Sequence, residues 1–177
     1  MDIGVKISKN PKITRVTSAF IRVCEPDFRF RGETHEAWEL VCVTDGHISV
    51  AADNKIFELK KGQAILHSPM QFHNITVMGN ETAVIGVFAF YGENIPPLQN
   101  QVFEITDLSK VKTLKELAHK YYDVYKGFGL SAIKKEGTDH LLYIKNLELF
   151  LLELAGNVSK SRQVVTEGAK NYSRIIN

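Results

Sequence analysis

Glu33-Thr34-His35-Glu36-Ala37-Trp38-Glu39-Leu40-Val41-Cys42-Val43-Thr44-Asp45-Gly46 is the stretch whose reading decides the fold. Trp38 to Val43 reads as a strand. Asp45-Gly46 then reads as a two-residue hairpin turn of the type I′ kind, since such turns need positive φ and Asp and Gly tolerate it. His47 to Ala51 returns. In that register Thr44 faces His47, Val43 faces Ile48, Val41 faces Val50 and Glu39 faces Ala52. Side chains alternate along a strand, so Glu39, Val41 and Val43 share a face with Ile48, Val50 and Ala52. Glu33, His35 and Ala37 have the same parity. Glu39 is therefore a carboxylate on an apolar face, and a buried polar group costs free energy unless something satisfies it.

A second stretch, Gly62 to Asn74, repeats the pattern. Ala64-Ile65-Leu66 reads as a strand and Ser68-Pro69-Met70-Gln71 as a corner. Phe72 to Met78 follows, with His73, Ile75 and Val77 on one face. Residues 13 to 30 read as one or two strands, Ile56 to Leu59 as a short one. Val84 to Phe90 is another, with Val84, Phe88 and Phe90 opposite Ile85, Val87 and Ala89. Many short strands separated by turn signals predict a β-sandwich or barrel.

After Pro96-Pro97 the period changes. Asp107 is placed to cap a helix running to about Lys126, stopped by Gly127. Residues 126 to 137 read as a loop. Thr138 or Asp139 starts a second helix through Ala155, stopped by Gly156. This helix is apolar on more than one side, so it needs more than one cover. The sequence reading assigns Leu141, Ile144, Leu147, Phe150, Leu151 and Leu154 to a contact with a second copy of the chain. Residues 156 to 170 are polar and read as a linker. Asn171 to Asn177 reads as the first turns of another helix, cut short, as in a fragment of a longer protein. The expected division is residues 1–100 for the barrel, 101–157 for the helices and 158–177 for the linker and truncated start.

With 177 residues and 44% hydrophobic content the chain can bury a substantial core. Its net charge of +2 is spread thinly, which gives no electrostatic footprint for nucleic acid. No apolar run reaches membrane-span length, and Met1 to Lys6 begins no secretory signal. Cys24 and Cys42 have no metal-type spacing. A disulfide and two reduced thiols both fit them, reduced thiols being the expectation for a cytoplasmic protein.

The two polar strands resemble the two cupin motifs. In the first, Glu33-x-His35, three residues, Glu39, six residues and Gly46 fit the spacing, with Glu33 at the first histidine position. In the second, Gly62 and His73 fit, with Ser68 and Met70 where the family has Pro and Gly. Residues 35–46 (HEAWELVCVTDG), 52–75 (ADNKIFELKKGQAILHSPMQFHNI), 83–90 (AVIGVFAF) and 141–157 (LLYIKNLELFLLELAGN) together resemble the N-terminal effector-binding domain of AraC-type transcriptional regulators. The resemblance spans roughly residues 10 to 157. It implies a cupin-like jelly-roll barrel, mostly β, followed by two antiparallel helices. It further implies that the barrel binds a small effector such as a sugar or small acid, that the helices form a homodimer, and that DNA is bound only through a C-terminal helix-turn-helix part. Residues 171–177 (NYSRIIN) look like the first residues of that part. A membrane partner is not expected.

The candidate site admits several readings. Glu33, His35, Glu39 and His73 are a donor set suited to Zn²⁺, Fe²⁺ or Mn²⁺. The same groups satisfy one another equally well by hydrogen bonding. As a ligand pocket without a cofactor, the interior offers His35 at the rim with Glu39, Val41, Ile48, Val50, His73, Ile75 and Phe88. A narrow barrel simply filled by these side chains is the third reading. Trp38 is expected under the C-terminal helices, His67 in a solvated or turn-bonded role, His47 exposed, and His119 and His140 on helices away from the site. No catalytic triad, reactive-cysteine environment or phosphate loop appears. The expected function is a non-enzymatic sensor, the alternative a metal-dependent cupin enzyme of isomerase or dioxygenase type.

Overall fold

The computed structural model describes residues 9–158. In chain order the strands are β1 (Lys12–Cys24), β2 (Arg29–Glu33), β3 (Trp38–Asp45), β4 (His47–Ala52), β5 (Lys55–Lys60), β6 (Gln63–His67), β7 (His73–Val77), β8 (Ala83–Glu93) and β9 (Val102–Glu104). Helix α1 (Ser109–Tyr121), the short strands β10 (Tyr122–Tyr125) and β11 (Gly129–Ile133), and helix α2 (Leu141–Ala155) complete the order. Seven strands form one sheet in the order β10-β11-β1-β8-β3-β6-β9, and four form the other in the order β2-β7-β4-β5. Every pairing between these strands is antiparallel, as a jelly roll requires. The architecture is the expected one: mostly β, with two helices after the barrel.

The Asp45-Gly46 turn is not a hairpin, contrary to the sequence reading. β3 pairs with β6 and β8, whereas β4 pairs with β5 and β7 in the other sheet. The turn is a corner between sheets. The Val43 and Gly46 carbonyls accept from the amides of Gly62 and Lys61 at 2.9 and 3.0 Å. Gly46 sits at φ 76°, and a Cβ there would lie 2.5 Å from the Thr82 carbonyl oxygen. The face assignment survives, because alternation is the same whether a partner lies beside a strand or across from it. Val41 and Val43 pack in one buried layer with Ile48, Val50 and Ala52 between the two sheets.

A second layer lies between the outer face of the larger sheet and the helices. Leu40, Cys42, Phe88 and Phe90 meet Val111 and Leu114 of α1 and Leu147, Phe150, Leu151 and Leu154 of α2 there, and Trp38 packs against the same layer. Lys110 at the start of α1 pairs with Glu153 at the end of α2, so the helices run antiparallel. The buried Glu148 carboxylate accepts from the Ile13 amide at 2.9 Å and from Lys145 at 2.8 Å, which pins α2 to β1. Cys24 and Cys42 are free thiols in different layers.

Three sequence expectations are corrected here. First, α1 stops at Tyr121, and the segment read as helix end and loop is the β10–β11 hairpin. Its loop is Lys126-Gly127-Phe128, and Lys126 and Gly127 hold φ of 50° and 81°, the positive-φ backbone of a tight hairpin turn. The tyrosines at 121, 122 and 125 suit helix and strand alike. Second, β9, β10 and β11 all follow residue 100 and join the large sheet, so residue 100 does not divide barrel from helices. Third, Leu147, Phe150, Leu151 and Leu154 are buried against the sheet, and Ile144 packs partly against the same layer. Of the six leucines and related residues assigned to a dimer contact, only Leu141 is exposed, while Leu142, Leu149 and Leu152 present the open apolar surface. The linker beyond Val158 and the truncated helix start lie outside the described residues.

Candidate functional site

Four polar side chains converge at one end of the space between the sheets. Glu39 projects inward from β3 and is buried. Glu33 and His73 are side-by-side partners on β2 and β7. His35 lies in the link between β2 and β3, and its carbonyl accepts from the Met70 amide at 2.8 Å. The corner at 68–71 therefore holds the His35 loop in place.

Both histidines are oriented the same way. His73 Nδ1 donates to the Gln71 carbonyl at 3.0 Å, and His35 Nδ1 to the Ala37 carbonyl at 3.1 Å. Their Nε2 atoms point at the carboxylates. His35 Nε2 lies 3.4 Å from Glu39 Oε2, and His73 Nε2 lies 3.4 Å from Glu39 Oε1. Both lie 3.8 Å from Glu33 Oε1. His73 Nε2 is buried and closes no hydrogen bond. Burial alone would raise the Glu39 carboxyl, but the two imidazoles outweigh it and hold it at about 2. Burial pulls His73 down, and Glu33 and Glu39 outweigh that to bring it to about 10. The hydrogen bond to Glu39 raises His35 against its partial burial.

This donor set fits a divalent cation. One ligand atom from each of Glu33, His35, Glu39 and His73 lies within 4.8 Å of the others. Backbone carbonyls on Nδ1 leave Nε2 free to ligate, which is how ligating histidines are ordinarily held. These four residues would hold Zn²⁺, Fe²⁺ or Mn²⁺, which would supply Lewis acidity.

His67 is the residue of the polar cluster that sequence reasoning missed. It is fully buried rather than solvated, and its ring stacks on His73 with centroids 4.6 Å apart. Glu39 pairs with His67 across β3 and β6, so both point inward. Burial lowers His67 to about 4, and the His73 charge adds to this. The Gln71 side chain pulls the other way, but neither ring nitrogen of His67 closes a hydrogen bond. The alternation of Ile65 and His67 was the available signal. His47 is half-buried, 3.4 Å from Glu58, rather than exposed. His119 and His140 lie away from the cluster: His119 Nε2 meets the Ala19 carbonyl and His140 packs on Tyr122.

A cavity of about 660 Å³ opens from the polar cluster toward β1 and the β10–β11 loop. Of the residues expected to line it, His35, Glu39 and Ile75 do, and Glu33 of the candidate metal set joins them. His73 is buried beside Glu39 without lining the cavity, while Val41, Ile48 and Val50 are packed in the core layer between the sheets. Phe88 is corrected: it faces the helices. The inner residues of its strand are Ile85, Val87 and Ala89, because alternation sends Phe88 to the other side. The aromatic wall of Phe20, Phe28, Phe30, Tyr91 and Phe128 was not foreseen, nor were Arg22 and Lys126 at the mouth.

Among solved structures, the cupin domain of Cnp3 from Schizosaccharomyces pombe is similar at 14% identity and TM-score 0.41, over 45% of this chain and 60% of that one. The cupin domain of an XRE family transcriptional regulator from Enterobacter cloacae is similar at 13% identity and TM-score 0.39, over 47% of this chain and 98% of that one. KdgF from Halomonas is similar at 19% identity and TM-score 0.39, over 45% and 76%. No curated protein sequence matches the chain. The model of the AraC-like ligand binding domain matches residues 15–122, from β1 through α1 and so across both polar strands. The chain belongs to the family of AraC-like ligand-binding domains.

Proposed function

We propose that the cavity is the effector site of the sensor domain of a transcription regulator, and that the domain works as a homodimer. The carrying observation is the cavity of about 660 Å³ with apolar walls and the His35–Glu39–His73 cluster at one end. Small-molecule sites have this composition: mostly apolar, with a few placed polar groups. Family membership supports a small-molecule ligand. Supporting the dimer, Leu142, Leu149 and Leu152 stand exposed on α2 at spacings of seven and three residues, the spacing of a helix–helix seam. Signalling requires that the effector bind two states of the domain with different affinity.

The test is calorimetric titration with a panel of neutral sugars and small organic acids. Saturable binding that is weakened in Val87→Trp, which fills the cavity, supports the reading. Retention of full affinity in that variant overturns it.

A second reading, a metal-dependent cupin enzyme, is favoured by the four-residue donor set. Stoichiometric metal in the purified protein together with turnover lost in His73→Ala would support it. Binding of effector at full affinity by the metal-stripped protein, with no turnover in its loaded form, would count against it.

A further inference from the structure

The cavity has two poles, and they differ in whether their charges are already satisfied. At one end Glu33 and Glu39 are engaged by His35 and His73. At the other, Arg22 and Lys126 line the mouth, and neither forms an ion pair among the described residues. Their contacts are with aromatic faces. The Arg22 guanidinium lies 4.4 Å from the Phe28 ring centre, and the Lys126 ammonium 5.1 Å from that of Tyr125. Such contacts leave N–H donors free for an anion.

The placement of Lys126 is unusual. It holds φ at 50°, a position where Asn or Gly is the ordinary choice. A lysine there costs roughly 1 kcal/mol of backbone strain. Strain kept beside a cavity is a pointer to use. The next residues bring the loop onto the wall: Phe128 meets Phe20 edge to face at 5.8 Å, and the Phe128 carbonyl accepts from the Ala19 amide at 3.0 Å. On β1, Ser18, Phe20 and Arg22 point to the cavity in turn, paired with Ala89, Val87 and Ile85.

The two poles stand on different strands: Glu39 on β3, Arg22 on β1 and Lys126 in the loop that docks beside it. Glu39, Ala89, Ser18 and Gly129 lie in one cross-strand row. Three strand spacings put its ends about 14 Å apart. Between them the walls are aromatic and aliphatic. We infer, on the reading of this cavity as the effector site, that its ligand is an organic anion with a flat apolar body. Its carboxylate sits against Lys126 and Arg22, and its body lies among Phe20, Phe28 and Phe128. The β10–β11 loop is then a ligand-contacting wall, not a passive connection between helices.

The experiment is calorimetric titration with benzoate, trans-cinnamate and indole-3-acetate, each beside its neutral amide. At least one anion is expected to bind more tightly than its amide, and less tightly as salt rises. Lys126→Gln and Arg22→Gln are each expected to weaken it about fivefold or more, and Lys60→Gln, outside the cavity, to leave it unchanged. Lys126→Gly serves as the folding control: it relieves the backbone strain, so the protein should melt no lower, yet lose the same affinity. Anion binding that survives both substitutions but is lost in His73→Ala overturns the inference and keeps the effector reading. Binding of neutral compounds with none of the three anions does the same. A cavity that takes neither class, with full occlusion by side chains in a crystal structure, overturns both.

Discussion

His67 lies face to face with His73, ring centroids 4.6 Å and planes 18° apart, with both rings buried. The two are driven in opposite directions. Burial keeps His67 neutral, at about 4, while the carboxylates outweigh burial and keep His73 charged, to about 10. Both start from the same ordinary value of 6.5. Below it the unfolded chain binds a proton at His67 that the folded protein refuses, so stability falls as pH drops from 6.5 toward 4. Above it the folded protein keeps a proton on His73 that the unfolded chain releases, so stability falls as pH rises from 6.5 toward 10. The chelator-treated protein is therefore expected to be most stable near pH 6.5, by urea denaturation across the range. His67→Phe should flatten the acid limb and His73→Gln the alkaline one. An unchanged acid limb in His67→Phe would refute this account.

His67→Phe carries a second expectation. Neither ring nitrogen of His67 has a hydrogen-bond partner, and replacing an unsatisfied polar group by an apolar one of similar shape is neutral or stabilising. At pH 7 the variant should be at least as stable as the parent. A loss of more than about 2 kcal/mol would show that the imidazole is satisfied in solution.

On α2, neighbouring leucines should behave differently. Leu152 is 45% exposed and Leu151 is fully buried. Leu152→Glu is expected to leave the melting temperature of the monomer intact and abolish the proposed dimer in sedimentation. Leu151→Ala is expected to cost about 2–5 kcal/mol through the cavity it leaves. A Leu152→Glu protein that still sediments as a dimer would exclude this face.

Metal affinity tests the polar cluster directly. Zn²⁺ titration of the wild-type protein should show one site, weakened at least about tenfold in Glu39→Gln and in His73→Ala. Glu33 is 49% exposed at its side chain and more distant, so Glu33→Gln should weaken it less. Equal affinity in His73→Ala would place the ion elsewhere.

Two glycines separate backbone conformation from close packing. Gly62 holds φ at 86° with nothing within 4 Å of a Cβ, while Gly46 holds 76° with the Thr82 oxygen at 2.5 Å. Gly62→Ala should cost about 1–2 kcal/mol for its left-handed backbone. Gly46→Ala should cost clearly more, measured by denaturant midpoint, because the corner between the sheets has to move.

The sequence alone determined the alternation, and with it the inward placement of Glu39 and His73 and the existence of both helices. Alternation is a property of each strand's own backbone, so it survived even where the pairing inferred from Asp45-Gly46 did not. Tertiary structure decided the rest. A two-residue turn permits both a hairpin and a corner, and the choice rested on Lys61 and Gly62, which supply the amides that take the turn's carbonyls. The tyrosine-rich end of α1 became strand β10 by pairing with β11, which itself docks on the edge of β1 at Ser18, a contact about a hundred residues away in sequence. Which leucines of α2 are core and which are open depended on how the helix rotates against Phe88 and Phe90. His67 joined the site only when β6 came to lie beside β3. Local periodicity says which side chains share a face; only long-range packing says what that face meets.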